Sequence, residues 1–147
     1  MWADRGPWYN SPISSDIQAT FRENLLAKKV LICDDEPHIR ESVSYVARAE
    51  GYDVLTAEDG EEGLRLVREE RPDLVFLDVM MPRMDGFQVC KAIKGDAATR
   101  RIHVIILTAR GQEIDRAKGE EVGAEEYLTK PFSPRKLRQK MHEVLDT

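Results

Sequence analysis

A chain of 147 residues, 41% hydrophobic and 33% charged, has the size and make-up of one domain with its own core, which argues against a two-domain enzyme and a disordered tract. Its 22 basic and 27 acidic side chains leave a net charge of −5, so the surface as a whole is unsuited to gripping a phosphate backbone, and direct nucleic-acid binding is not expected. No apolar run is long enough to span a bilayer and residues 1–10 lack the order of a signal peptide; the expectation is no membrane association and a reducing cytoplasm, which suits two cysteines without metal-ligand spacing.

Residues 1–28 stand apart from the rest. Trp2, Trp8 and Tyr9 fall in a stretch without periodicity, after which Ile17, Phe21, Leu25 and Leu26 recur at helical spacing. This segment reads as an arm with a short amphipathic helix, native or in part an expression scar. From Lys29 to the end, 29–147, strands and helices alternate: strand 30–33, helix 38–50, strand 53–57, helix 60–70, strand 74–77, helix 86–94, strand 104–107, helix 112–122, strand 126–129 and helix 134–145. The first, third and fourth strands are nearly continuous in Val, Ile, Leu and Phe, as strands covered on both faces are. Five strands separated by helices predict right-handed crossovers, hence an α/β fold with a doubly wound five-stranded parallel sheet and helices on both faces.

Ligands of such a sheet bind beyond the carboxyl ends of its strands. There the sequence places Asp34-Asp35-Glu36-Pro37 after the first strand, Asp78 after the third, Thr108 after the fourth and Lys130-Pro131 after the fifth. Taken singly, each has a plainer meaning: Asp35 a cap for the helix that Pro37 begins, Asp78 a turn acid, Thr108 a cap and Lys130 a solvated charge. Met80, Met81 and Met84 read as packing residues. Taken together, four polar side-chain types at the same end of different strands point to a site. Three carboxylates held close repel by roughly 1–4 kcal/mol per pair, which a hard cation relieves; an oxygen-only donor set suits Mg2+. A metal, an ammonium and a hydroxyl around a carboxylate are the parts that place a phosphoryl group on it, with Asp78 as nucleophile, Lys130 balancing charge and Thr108 donating a hydrogen bond.

These residues resemble the receiver domain of bacterial response regulators, the phosphoacceptor half of two-component signalling. The likeness rests on Val30-Leu31-Ile32-Cys33-Asp34-Asp35-Glu36-Pro37, Asp78-Val79-Met80-Met81-Pro82-Arg83-Met84-Asp85-Gly86, Leu107-Thr108-Ala109-Arg110 and the run from Gly123 to Phe132, and it covers Lys29 to about Leu145. The intervals between Asp35, Asp78, Thr108 and Lys130 are also similar to the family's. The resemblance implies a flavodoxin-like fold and phosphorylation of Asp78 by a histidine kinase, phosphotransfer protein or small donor. It implies Mg2+ held directly by Asp35, Asp78 and the Met80 backbone carbonyl, and by Asp34 mainly through water. Thr108 and Lys130 would grip the phosphoryl group, Tyr127 would turn as the switch, and Lys130-Pro131 would be cis. The chain would catalyse only its own phosphotransfer and dephosphorylation, with Met80 and Arg110, flanking the site, tuning the phosphoryl lifetime.

Residues 107–137 look most like the subgroup that carries a winged-helix DNA-binding domain and dimerises through the fourth helix, fifth strand and fifth helix. Arg116 matches that subgroup's basic position, but Lys136 stands where its carboxylate partner belongs, while Glu126 and Lys140 keep another pair. Like charges there oppose a strong activated dimer. The partner downstream is either a protein target or a missing output domain. Arg135, Lys136, Arg138 and Lys140 read as a solvated helix face, with an acidic partner surface as the alternative. The competing function is an Mg2+-dependent phosphatase or phosphotransferase with an aspartyl-phosphate intermediate. Such enzymes of the haloacid dehalogenase type place an acid two residues after the nucleophile, where this chain has Met80. A dinucleotide binder is disfavoured because Asp34-Asp35-Glu36 stands where glycines and free N–H groups would be needed.

Overall fold

The runs richest in Val, Ile, Leu and Phe form the middle of the sheet. The computed structural model describes residues 27–109 and 114–146, with the backbone alone for Ile114, Asp115, Arg116 and Gly119. Five strands, β1 (Lys29–Cys33), β2 (Asp53–Ala57), β3 (Leu74–Asp78), β4 (His103–Ala109) and β5 (Glu126–Lys130), pair in parallel in the order β2-β1-β3-β4-β5. The helices are α1 (Pro37–Ala49), α2 (Gly60–Glu70), α3 (Gly86–Gly95), α4 (Ile114–Val122) and α5 (Pro134–Leu145). This is the predicted doubly wound sheet, with its order reversing between β1 and β3. β1, β3 and β4 are buried almost throughout, whereas the edge strands β2 and β5 mix buried and exposed positions, which is why their sequences are less apolar.

Alternation along each central strand divides the core in two. Val30, Ile32, Phe76, Ile105 and Leu107 pack with Ile39 and Val43 of α1 and Leu137 and Met141 of α5 on one face. Leu31, Cys33, Val75, Leu77, Val104 and Ile106 pack with Leu64 and Val67 of α2 and Val89 and Ile93 of α3 on the other. Local chemistry sets the helix starts. Asp59 accepts from Glu62 N–H to cap α2, Asp85 and Gln88 form a capping box on α3, and Ser133 caps α5 ahead of Pro134. Cys33 and Cys90 are buried free thiols. No helix among the described residues is long and apolar enough to cross a membrane. The arm expected over residues 1–28 lies almost wholly outside the described residues, as does Arg110.

Candidate functional site

Strand register brings the polar ends together. Cys33 pairs with Leu77, so Asp34 is level with Asp78; Asp78 pairs with Leu107, Thr108 with Thr129 and Ala109 with Lys130. Asp34, Asp78 and Thr108 therefore end neighbouring strands, and the long Lys130 side chain reaches in from β5. Gly86 sits at the first turn of α3, where an added Cβ would lie 2.2 Å from the Asp78 carbonyl oxygen, so the helix start is seated directly on the backbone of the acid.

Lys130 is the hub of the site. Its Nζ lies 2.9 Å from Asp34 Oδ2, 2.9 Å from Glu36 Oε1 and 3.2 Å from Asp78 Oδ1. Asp34 is fully buried and Asp78 is 6% exposed. Asp34 is pinned at three points: its N–H donates to Ala57 O, its Oδ1 accepts from Glu36 N–H at 2.9 Å, and its carbonyl accepts from Arg40 Nη1 at 2.7 Å. Thr108 is buried at the end of β4, and Tyr127 is half-buried on β5 against the cluster that includes Leu77 and Ile106. The Lys130-Pro131 peptide bond is cis, matching the expectation from the resemblance.

Burial pushes the Asp78 carboxyl up to about 7, the charge of Asp34 adds to this, and Lys130 opposes it. Burial pulls the Lys130 ammonium down, but its contacts with Asp34 and Glu36 outweigh that and hold it above its ordinary value. Glu36 is held below the usual carboxylate range by its bond from Lys130. The donor set fits a hard divalent cation: Asp34, Asp35 and Asp78 each offer an oxygen within 4.8 Å of the others, and all are carboxylates. Asp34 Oδ2 is ion-paired with Lys130 at 2.9 Å but is a buried oxygen without an aligned hydrogen bond among the described residues, which leaves it able to take a metal.

The plainer meanings give way at four positions. Asp35 does not cap α1: Glu36 is the N-cap residue, and Asp35 is exposed beside the other acids. Asp78 is no open turn acid, Thr108 lies within β4 and not at the start of the next helix at Ile114, and Lys130, with its side chain 15% exposed, is not a solvated charge. Met80 departs from the packing expectation, being 67% exposed in the turn after β3, whereas Met81 and Met84 do pack on the core. Two participants escaped the sequence reading. Glu36 shares Lys130, and Arg40 ties the end of β1 to Glu58 while holding the Asp34 carbonyl. The sequence places Glu36 at the rim as part of Asp34-Asp35-Glu36-Pro37 but marks no role for it, and nothing in the motifs marks Arg40.

Residues 30–142 match the family model of the response regulator receiver domain. The chain is 43% identical over 118 residues to the alkaline phosphatase synthesis transcriptional regulatory protein PhoP of Bacillus subtilis, covering 80% of this chain and 48% of that protein. It spans about half the length of the curated relatives it matches. The chemotaxis protein CheY4 of Vibrio cholerae has a similar structure, with a TM-score of 0.76 and 36% identity over 81% of this chain and 99% of that one. A receiver domain of the sensor histidine kinase PA1611 from Pseudomonas aeruginosa, solved with a magnesium ion coordinated in its active-site cleft, aligns with a TM-score of 0.75 and 26% identity over 82% of this chain and 99% of that one.

Proposed function

The chain belongs to the response regulator receiver family, the phosphoacceptor switches of two-component systems, and we propose that within it Asp78 is the residue that accepts the phosphoryl group. The observation that carries this assignment is the buried Asp78 carboxylate facing Lys130 at 3.2 Å, with Asp34 and Asp35 close enough to share a cation. A carboxylate oxygen of Asp78 attacks phosphorus, the bond from phosphorus to the donor breaks, and the donor departs with the electron pair. Lys130 balances the charge gained at Asp78, and the Thr108 hydroxyl donates to a phosphoryl oxygen. Asp34, Asp35, Asp78 and the Met80 backbone carbonyl would hold Mg2+, whose charge offsets the mutual repulsion of the acids and of the incoming group. Thr108 is drawn toward the phosphoryl group, Tyr127 turns into the space it leaves, and the face formed by α4, β5 and α5 changes.

On this reading the chain works in the cytoplasm and catalyses only its own phosphotransfer and dephosphorylation, taking phosphoryl groups from a histidine kinase, a phosphotransfer protein or a small donor. It signals to a protein target or to an output domain, a reading supported by relatives that are named transcriptional regulatory proteins. The phosphatase alternative is disfavoured, because Met80 stands where such an enzyme needs a second acid. Incubation with acetyl phosphate and Mg2+ should add one phosphoryl mass to the intact chain and none to Asp78→Asn. A phosphoryl gain that persists in Asp78→Asn would place the acceptor elsewhere.

A further inference from the structure

Glu36 is a fourth carboxylate at the rim, and the chemistry above leaves it unused. It occupies the N-cap of α1 with φ −86° and ψ 116°, where Ser, Thr, Asp or Asn is preferred because a short side chain reaches back to the first N–H groups of the helix. Glu36 makes no such bond. Its backbone is nevertheless pinned, since its N–H donates to Asp34 Oδ1 at 2.9 Å and its carbonyl accepts from Ile39 N–H at 3.1 Å and Arg40 N–H at 3.2 Å. The side chain is turned to the site instead, accepting from Lys130 Nζ at 2.9 Å, closer than the 3.2 Å from Nζ to Asp78. A cap interaction is forgone for a contact with the reactive lysine, a local departure of the kind that marks functional positions.

An ammonium has three N–H donors, and here three carboxylates crowd it. Two of its N–H groups are aligned on Glu36 and Asp78, and Asp34 Oδ2 lies as close without an aligned bond, so a phosphoryl group arriving at Asp78 competes with these carboxylates for the lysine. Asp34 is fully buried and Asp78 carries the new group, whereas the Glu36 side chain is 45% exposed and water can take over its solvation. We propose that Glu36 is a positioning residue that holds Lys130 before phosphorylation and is displaced from it by the phosphoryl group, so that Glu36 slows phosphoryl arrival. The inference rests on the phosphoacceptor reading of Asp78.

The test follows transfer from acetyl phosphate, in which an Asp78 oxygen bonds to phosphorus, the phosphorus-to-acetate oxygen bond breaks, and acetate leaves with the electron pair. Intact mass is recorded over time with excess Mg2+ for the unchanged chain and for Glu36→Gln, Glu36→Ala and Glu36→Asp. Gln keeps the size and removes the charge. Asp keeps the charge but falls short of Lys130 and favours the cap. All three should accelerate phosphorylation about three- to tenfold, and beryllofluoride with Mg2+ should bind more tightly by a similar factor in calorimetry. A Glu36→Asp rate within twofold of the unchanged chain, beside a fast Glu36→Gln, would reduce Glu36 to simple charge repulsion and overturn the holding role. Slower or unaltered transfer in all three variants would also overturn it. Absence of any phosphoryl gain in the unchanged chain would instead overturn the reading of Asp78 itself.

Discussion

The folded chain holds Asp78 at a cost when no cation is bound. Its carboxyl is raised above its unfolded value by burial and by Asp34, so the folded state binds a proton more tightly than the unfolded chain does. That contribution to stability is fully present below about pH 4, the ordinary carboxyl value, and is lost as pH rises toward about 7, where Asp78 ionises in the fold. Asp78→Asn removes the titration. In metal-free buffer above pH 7 it should therefore be more stable than the unchanged chain by about 1–3 kcal/mol in urea unfolding, and the advantage should shrink below pH 5. Excess Mg2+ should narrow the gap at neutral pH by stabilising the chain that retains the Asp78 carboxylate more than the variant that lacks it. An Asp78→Asn variant less stable at pH 8 without metal would contradict the strained state of the acid. At this scale the sequence was informative about which residues meet, because each stands at the end of an apolar run and strand register does the rest. It places Glu36 at the rim but gives it no role, because a Glu before Pro reads as an ordinary helix start until Lys130 is seen across the rim.

Among the elements, α3 is fixed by a residue with no side chain. Gly86 brings the start of α3 so near Asp78 that a Cβ would stand 2.2 Å from its carbonyl oxygen and 2.9 Å from its carbonyl carbon, backbone atoms that cannot swing aside. Gly86→Ala should cost about 1–3 kcal/mol in urea unfolding and slow phosphorylation, since relief requires moving either the helix or the acid. A variant with unchanged midpoint and unchanged rate would mean that the turn relaxes freely. The far end of α5 is tied differently. The His142 ring bonds Asp146 and lies 2.5 Å from Glu50 at the end of α1, Arg138 lies 3.6 Å from Glu50, and Tyr52 O–H donates to Asp146 at 2.9 Å. Asp146 first and Glu50 second raise the His142 imidazole, so this tie is complete below the ordinary imidazole value and is lost as pH rises through the raised one. By NMR, His142 should titrate above free imidazole and move down in Glu50→Gln. Titration at or below the free value would remove the tie. The strands and helices themselves were legible to within a few residues, since continuous apolar runs mark the buried strands and Pro or Asp marks most helix starts. Met80 was misread because the methionines near it pack, while the turn after β3 points this one outward.

For the molecule as a whole, the charge pattern bears on assembly. Glu126, a member of the pair that subgroup dimers would exchange between protomers, already has two partners in its own chain, Lys140 Nζ at 2.5 Å and His103 Nε2 at 2.7 Å. Lys140 is also 3.6 Å from Glu143. A dimer built on the α4, β5 and α5 face would have to trade these contacts for equivalent ones, with little net gain in solvent-exposed ion pairs. Lys136 is exposed on α5 and shares its sign with Arg116, the residue at the subgroup's basic position in the sequence, so a reciprocal pairing of these two positions in such a dimer would add repulsion. Light scattering at tens of micromolar should therefore find the chain mainly monomeric with and without beryllofluoride and Mg2+. Lys136→Glu restores an opposite charge and should strengthen the beryllofluoride-bound dimer by about three- to tenfold, with the effect fading at high salt. A tight activated dimer of the unchanged chain through this face, or a Lys136→Glu variant that associates no better, would show that apolar contact rather than charge governs the interface.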